Sequence, residues 1–292
     1  MTKKHSDHLS APFFSIVIPS LNEERCLPDL LGDLSEQSYR DFEVLHIDGS
    51  SEDKTVAIAK KFAKKIPITT EVTATRNVSF QRNRGIRKAT GTWIIFMDAD
   101  NRIPPEFLDG IRYRLAQKPK TDTFTTWVSI DSDKSLNKPI EQTINIGLEL
   151  GKIVGKEWSF GALIGVKASI LSEKFYFDER QKLVEDGLFI LKLVESGYTF
   201  SVFRDPRYTY SVRRFTTEGT ITMARRSARI VLNYIQGKDF AENDFGYKME
   251  GGSVYKEASF FNRSLPTILT SATKKQLKQA QKVLKYLLNL GS

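Results

Sequence analysis

Three acidic groups in this chain have the spacing to do chemistry. Asp98-Ala99-Asp100 directly follows the apolar run Trp93 to Met97. On an extended backbone, side chains at i and i+2 point to the same side. Two carboxylates converging at a strand end repel unless a cation or a proton lies between them. Hard oxygen ligands suit Mg²⁺ or Mn²⁺, which can bridge nucleotide phosphates. Asp98 and Asp100 are therefore the candidate metal ligands. The competing reading, a solvated acidic turn, is opposed by the apolar run before it. Asp48 to Asp53 (DGSSED) is the second group. One carboxylate beside backbone N–H groups could accept the N3–H of a uracil or a ribose hydroxyl. Ser51 or Asp53 could instead cap a helix beginning near Lys54; the two roles are compatible, with Asp53 the cap and Asp48 the ligand. In the third group, Glu185-Asp186 precedes the apolar stretch Leu188 to Val194. Carboxylates there either cap a helix N-terminus, favoured by its dipole, or do acid–base work. Arg213-Arg214 offers two forks for phosphate oxygens, or is a solvated basic pair. Ser159 to Gly165 (SFGALIG), containing Gly161 and Ala162, is either close backbone packing or a loop meeting a substrate.

These residues need elements to hold them. Phe14 to Pro19 is a short apolar run rich in β-branched residues, the pattern of a buried parallel strand. Polar Ser20 to Glu24 follows, then helical spacing through Leu27, Leu30, Leu31 and Leu34. Glu43 to Ile47 is a second strand ending in the Asp48 turn, and Lys54 to Lys65 is helical. Ile68 to Val72 is a third strand, and Ser79 to Ala89 a helix stopped by Gly91. Trp93 to Met97 is a fourth strand with Asp98-Ala99-Asp100 at its end. Thr123 to Ile130 is a further strand, and Asp131 to Lys138 a polar loop. Alternating strands and helices predict an open, mostly parallel α/β sheet, in which ligands bind outside the carboxyl ends of the strands. Both acidic turns lie at such ends.

The chain has 292 residues and a net charge of +9, which favours anionic partners. One cysteine, Cys26, excludes an internal disulfide and a multi-cysteine metal site. No apolar run approaches the roughly 20 residues a spanning helix needs, and the N-terminus lacks the apolar core of a signal peptide. The expected location is the cytoplasm or the cytoplasmic face of the membrane. Charge alone does not indicate nucleic acid, which would need a recognised motif or an aromatic, basic sheet face.

Taken in order, these features resemble the family 2 glycosyltransferases of the GT-A fold. Ser15 to Pro19 with Asn22-Glu23 is similar to the family's opening strand and polar turn. Asp48-Gly49-Ser50-Ser51-Glu52-Asp53-Lys54-Thr55 resembles the D-G-G-S-T-D-G-T turn. Arg82-Asn83-Arg84-Gly85 resembles the A-R-N-x-G helix, Asp98-Ala99-Asp100 the D-x-D, and Glu185-Asp186 the E-D pair. The resemblance covers residues 13–215. It implies an inverting enzyme that moves a sugar from a UDP- or GDP-type donor to an acceptor hydroxyl in a glycan or lipid-linked acceptor, with Mn²⁺ or Mg²⁺ as cofactor. On it, Pro19, Asn22, Glu23, Asp48, Arg82, Asn83, Asp98, Ala99, Asp100, Arg213 and Arg214 face the donor. Asp48 contacts the base, Asp98 the ribose or metal, and Asp100 the metal. Asp186 is the general base with Glu185 beside it, and Gly161 and Ala162 lie on the acceptor side.

Departures from the pattern are Gln81 in place of Ala, Lys54 in place of Gly, and no late histidine for the metal, since only His5, His8 and His46 exist. A nucleotidyltransferase would want a Gly-rich, Lys-bearing phosphate loop after the first strand, and Ser20 to Arg25 is not one. A non-catalytic nucleotide- or glycan-binding protein would show a broken D-x-D or no base. Residues 1–12 are expected to be a flexible lead-in, 13–215 the GT-A domain, and 216–292 a mainly helical extension making acceptor, dimer or membrane contacts. In Thr273 to Ser292, Leu277, Ala280, Val283, Leu284, Leu287 and Leu288 share a helical face opposite five lysines. That face either packs on the domain or lies on anionic membrane.

Overall fold

A computed structural model describes residues 11–130, 138–153, 157, 159, 162–181, 183–211 and 251–252. It contains seven strands: β1 (Phe14–Ser20), β2 (Phe42–Asp48), β3 (Ile68–Val72), β4 (Trp93–Met97), β5 (Thr123–Ile130), β6 (Leu163–Lys167) and β7 (Phe200–Tyr210). The helices are α1 (Leu27–Ser35), α2 (Thr55–Phe62), α3 (Val78–Lys88), α4 (Phe107–Gln117), α5 (Lys138–Ile153) and α6 (Glu185–Glu195). One sheet runs in the order β3-β2-β1-β4-β6-β5-β7. All its strands are mutually parallel except β6, which runs against both β4 and β5.

The continuous apolar runs β1 and β4 are buried on both faces, as a sheet covered by helices on either side requires. Alternation sorts their side chains. Phe14, Ile16, Ile18, Trp93, Ile95 and Met97 join α1 and α4 in one core cluster. Val17, Ile94 and Phe96 join Phe189, Ile190 and Leu193 of α6 in the other. In α1, Leu27, Leu30, Leu31 and Leu34 are all fully buried, each stabilising the fold by roughly 1.5–3 kcal/mol.

The sheet is mostly parallel, as the sequence predicts, but β6, α5 and β7 differ from expectation, and α4 has no counterpart among the elements the sequence predicts. Part of the SFGALIG stretch is strand β6: a Cβ on Gly165 would lie 2.0 Å from the Phe124 ring, so glycine is there for close packing. Lys138, expected as the last residue of a polar loop, begins α5; Pro139 sits in the first turn, where its missing N–H costs nothing. Strand β7 has no counterpart in the sequence reading. Its Arg204-Asp205-Pro206-Arg207 stretch breaks the alternation and coincides with a register shift between Thr126 and Val128, the kind of site where a strand tolerates proline.

The topology decides where the site lies. Strands β1, β2 and β4 end side by side, and antiparallel β6 brings its N-terminal end against the end of β4, pairing Leu163 with Met97.

Candidate active site

Two turns interlock at the ends of β1 and β2. Asp48 has no exposed surface. Its Oδ1 accepts the Ser51 N–H at 2.8 Å, and its Oδ2 accepts the hydroxyls of Ser51 at 2.6 Å and Ser20 at 2.9 Å. Ser51 Oγ in turn accepts the Asn22 N–H at 2.8 Å, and Asn22 Oδ1 accepts the Glu52 N–H at 2.8 Å. Asp53, one residue before the N-cap Lys54, accepts the first helical N–H of α2, that of Thr55, at 2.9 Å and the Glu24 N–H at 3.1 Å, so it ties the two turns together at the start of the helix. Pro19 is buried inside β1, paired with Ile47 of β2. Asp48 thus shapes its turn from within.

The Asp98-Ala99-Asp100 turn follows β4. The Ala162 carbonyl accepts the Asp98 N–H at 3.1 Å and the Asn101 side-chain amide. Ala162, expected on the acceptor side, is buried and fixes this acidic turn from the start of β6. Ala99 is buried, while Asp98 and Asp100 keep partial exposure. Burial pushes Asp98 up to about 6; Asp100 and Glu185 push the same way, and Arg82 opposes them. A cation between Asp98 and Asp100 would relieve that repulsion.

Arg82 joins this turn to the third acidic group. Its side chain is 3% exposed and lies over the Phe177 ring, donating to Glu185 Oε1 at 2.8 Å and Asp98 Oδ1 at 3.2 Å. Burial works against its charge, but Asp98, Glu185 and Asp186 outweigh that and hold it protonated. Glu185, 6% exposed, is thereby buried against Arg82. Asp186 beside it is partly exposed and accepts the Gly187 N–H at 2.7 Å. Burial pushes Asp186 up to about 7, reinforced by Glu185 and opposed by Arg82. A carboxyl near neutrality is suited to taking a proton from a hydroxyl.

Asn83, expected at the donor, acts as a clamp. It donates to the Phe177 carbonyl at 2.9 Å and Glu179 Oε1 at 2.8 Å, and accepts the Phe177 N–H at 2.9 Å. It therefore fixes the segment leading into α6. Among the described residues, three non-glycine residues have positive φ: Asn22 (54°), Ser50 (61°) and Val184 (61°). All three lie in the turns just described. For β-branched Val184 this is a real strain, immediately before Glu185-Asp186, and such strain concentrates at functional sites. Glu23 is buried, with Gly252 packed against it; Gly252 donates its N–H to the Leu21 carbonyl at 2.9 Å, and a Cβ there would lie 1.9 Å from the Asn22 oxygen.

Arg213, Arg214, Gly161 and the Thr273 to Ser292 face lie outside the described residues. The site also uses residues the sequence reading left without a role. Gln81 donates to the Ser20 and Ile47 carbonyls at 2.8 and 2.7 Å. His46 is fully buried against Ser20. The Tyr208 phenol is also fully buried, and its oxygen has no hydrogen-bond partner among the described residues. Burial raises its pKa well above 10, with Tyr210, Asp98, Asp186 and Asp100 adding to the effect, so it is a neutral donor within electrostatic reach of those carboxylates. A histidine between Leu45 and Ile47 in a strand is the available signal for His46; nothing marks Tyr208, because β7 itself is not evident in the sequence.

The family profile described as "Glycosyl transferase family 2" matches residues 15–189, from β1 to the first turns of α6. The chain belongs to glycosyltransferase family 2. A relative within the family is the "PGL/p-HBAD biosynthesis glycosyltransferase" of Mycobacterium bovis, 38% identical over 97 residues, or 32% of this chain and 38% of that protein. Another is the poly(ribitol-phosphate) beta-N-acetylglucosaminyltransferase TarS of Staphylococcus aureus, 24% identical over 207 residues, or 69% of this chain and 36% of that protein. The chain thus spans between a third and two fifths of the length of these curated relatives. The crystal structure of TarS 1–349 with UDP-GlcNAc superposes with a TM-score of 0.58 at 23% identity, covering 68% of this chain and 58% of that one. Mannosyltransferase PcManGT from Pyrobaculum calidifontis, with GDP-Man and Mn²⁺, gives 0.61 at 21% identity, covering 74% and 61%. The fold of this family 2 chain is of the GT-A type.

Among the described residues, no group of three or more His, Cys, Asp or Glu side chains is arranged to hold a metal ion. Asp98 and Asp100 still fit one: two carboxylates, with the remaining ligands from water and phosphate, is the usual provision for Mg²⁺ beside a nucleotide.

Proposed function

We propose that this chain transfers a sugar from a UDP- or GDP-sugar to an acceptor hydroxyl, with inversion at the anomeric carbon, in the synthesis of a cell-envelope glycan. The observation that carries this is the junction at Arg82, which sets the carboxylate pair after β4 beside the Glu185-Asp186 pair of α6. The names of the relatives favour a polysaccharide or lipid-linked acceptor, and the donors bound by the solved neighbours favour UDP or GDP.

In this reading the base lies against the interlocked turns of residues 20–24 and 48–55. Asp98 and Asp100 would hold Mn²⁺ or Mg²⁺, which when bound neutralises charge on the leaving diphosphate. Asp186 takes the proton of the acceptor hydroxyl, and that oxygen attacks the anomeric carbon from the face opposite the diphosphate. The C–O bond to the phosphate breaks and the nucleoside diphosphate departs with the electron pair. Arg82 pairs with Glu185, and the partly exposed Asp186 beside it is the carboxylate proposed to act as base. Arg213 and Arg214 are proposed to meet the phosphates, and residues 216–292 to meet the acceptor or an anionic membrane surface.

The test is to incubate the protein with UDP- and GDP-sugars, Mn²⁺ and acceptor glycans, and to follow nucleoside diphosphate release and the anomeric configuration of the product. Transfer with inversion supports the proposal. Release of nucleotide without metal, or a retained configuration, overturns it.

A further inference from the structure

We propose that His46 is a positioning residue for the nucleobase turn, acting through Ser20 and Asp48. This rests on the donor reading above. His46 sits inside β2 with no exposed surface, between the buried apolar residues Leu45 and Ile47. Its Nε2 is 2.7 Å from Ser20 Oγ, and its Nδ1 is 3.3 Å from Thr70 Oγ1. Ser20 Oγ is also 2.9 Å from Asp48 Oδ2. A serine hydroxyl has one proton. It cannot donate to both the imidazole and the carboxylate, and Asp48 Oδ2 is an acceptor of the Ser20 hydroxyl. The proton therefore goes to Asp48, which leaves Ser20 Oγ as the acceptor of a proton from His46 Nε2.

The ring is thus assigned as the neutral Nε2–H tautomer, with Nδ1 accepting from Thr70. Burial supports this by pushing the ring down to about 4, against the pull of Asp48. The resulting chain runs from Thr70 through His46 and Ser20 to Asp48, and Asp48 also accepts from Ser51, whose hydroxyl holds the Asn22 N–H. The opposite tautomer would turn the Ser20 hydroxyl toward the ring and remove one donor from Asp48. That would loosen the turns carrying the strained Asn22 and Ser50. Gln81 fixes the carbonyls of Ser20 and Ile47, so the backbone is anchored independently and His46 is left to orient the hydroxyl. The predicted effect is accordingly on base recognition and not on the phosphate end of the donor.

The experiment compares wild type, His46→Gln and His46→Leu by calorimetry with UDP, GDP and inorganic pyrophosphate in Mn²⁺. It is coupled to ¹⁵N NMR of histidine-labelled protein, with His46→Gln identifying the His46 signals. Leucine removes the donor and should weaken binding of the preferred nucleoside diphosphate about tenfold, the scale of one buried hydrogen bond, while leaving pyrophosphate unchanged. Glutamine keeps an N–H at similar reach and should restore most of the affinity. The NMR spectrum should show the neutral Nε2–H form. An Nδ1–H tautomer, or a loss equal for pyrophosphate and nucleotide, or no rescue by glutamine, overturns the proposal. If leucine prevents folding, the tautomer and the glutamine variant still decide. If wild type binds neither UDP nor GDP, the donor reading falls and the positioning role falls with it; if it binds them but the tautomer is wrong, only the role of His46 falls.

Discussion

Arg82 donates to Glu185 at 2.8 Å across 103 residues of chain, tying the middle of α3 to the first residue of α6. The same guanidinium reaches Asp98, so one buried cation holds together the two acidic groups to which the transfer reaction is assigned.

Replacing that cation should therefore be costly. Arg82→Met leaves Glu185 buried and uncompensated, a change worth about 3–5 kcal/mol of stability. Urea unfolding measures it, and the double variant Arg82→Met, Glu185→Leu should recover much of the loss. A single-variant cost below about 1 kcal/mol would show that the pair is not the keystone of this junction.

Asp186 sets the expected pH dependence. Burial pushes it up to about 7, and a base must be ionised to accept a proton. Turnover should therefore rise with pH through about 7 and fall on the acid side. Asp186→Asn should keep nucleotide binding and lower kcat by about a hundredfold or more. A pH-independent kcat/KM between 5.5 and 8.5, or full turnover in the variant, would remove the base assignment. Glu185→Gln separates the neighbours, because its main effect should be on stability.

His46 predicts an acid limb in stability. Its ring is held near 4 in the fold and near 6.5 when unfolded. Below pH 6.5 the unfolded chain binds a proton that the folded chain does not, so stability falls as pH drops from about 6.5 to 4 and is unaffected above that window. The shift corresponds to about 3 kcal/mol at most. Urea midpoints at several pH values for wild type and His46→Gln measure it, and the variant should show a flatter profile. Identical profiles would mean that the ring is protonated in the fold.

Gly252 tests whether the segment at 251–252 is seated on the turn after β1. Its Cβ would lie 1.9 Å from the Asn22 oxygen, so Gly252→Ala should break the bond from Gly252 to Leu21. Hydrogen exchange at residue 252 should accelerate, with little change in the melting of the sheet. Unchanged protection would show that the segment is not docked there.

Much of the sheet was legible because β1 and β4 are continuous apolar runs and each ends in a recognisable polar turn. The acidic groups were legible for the same reason: each sits where periodicity stops. What was not legible depended on contacts between distant segments. For the SFGALIG stretch the sequence leaves close packing and a loop both open, and the contact that decides for close packing at Gly165 is with the distant ring of Phe124. Strand β7 was hidden by the charged stretch around Pro206. The acidic turn marks Asp48 as a ligand for a base or ribose, and the family resemblance places Asn83 at the donor; the hydrogen bonds by which both residues also build the turns join distant segments and are not legible in sequence order.

The most direct measurement is calorimetric titration of UDP and of GDP into wild type and Asp100→Asn, each in Mn²⁺ and in EDTA. Wild type should bind one of the two nucleotides in Mn²⁺ and lose about tenfold or more of that affinity in EDTA, the scale of losing a charge-neutralising contact. Asp100→Asn should bind as wild type does in EDTA, with an unchanged melting temperature. Equal affinity in Mn²⁺ and EDTA, or full metal-dependent affinity in Asp100→Asn, would contradict a metal-assisted donor site at the end of β4.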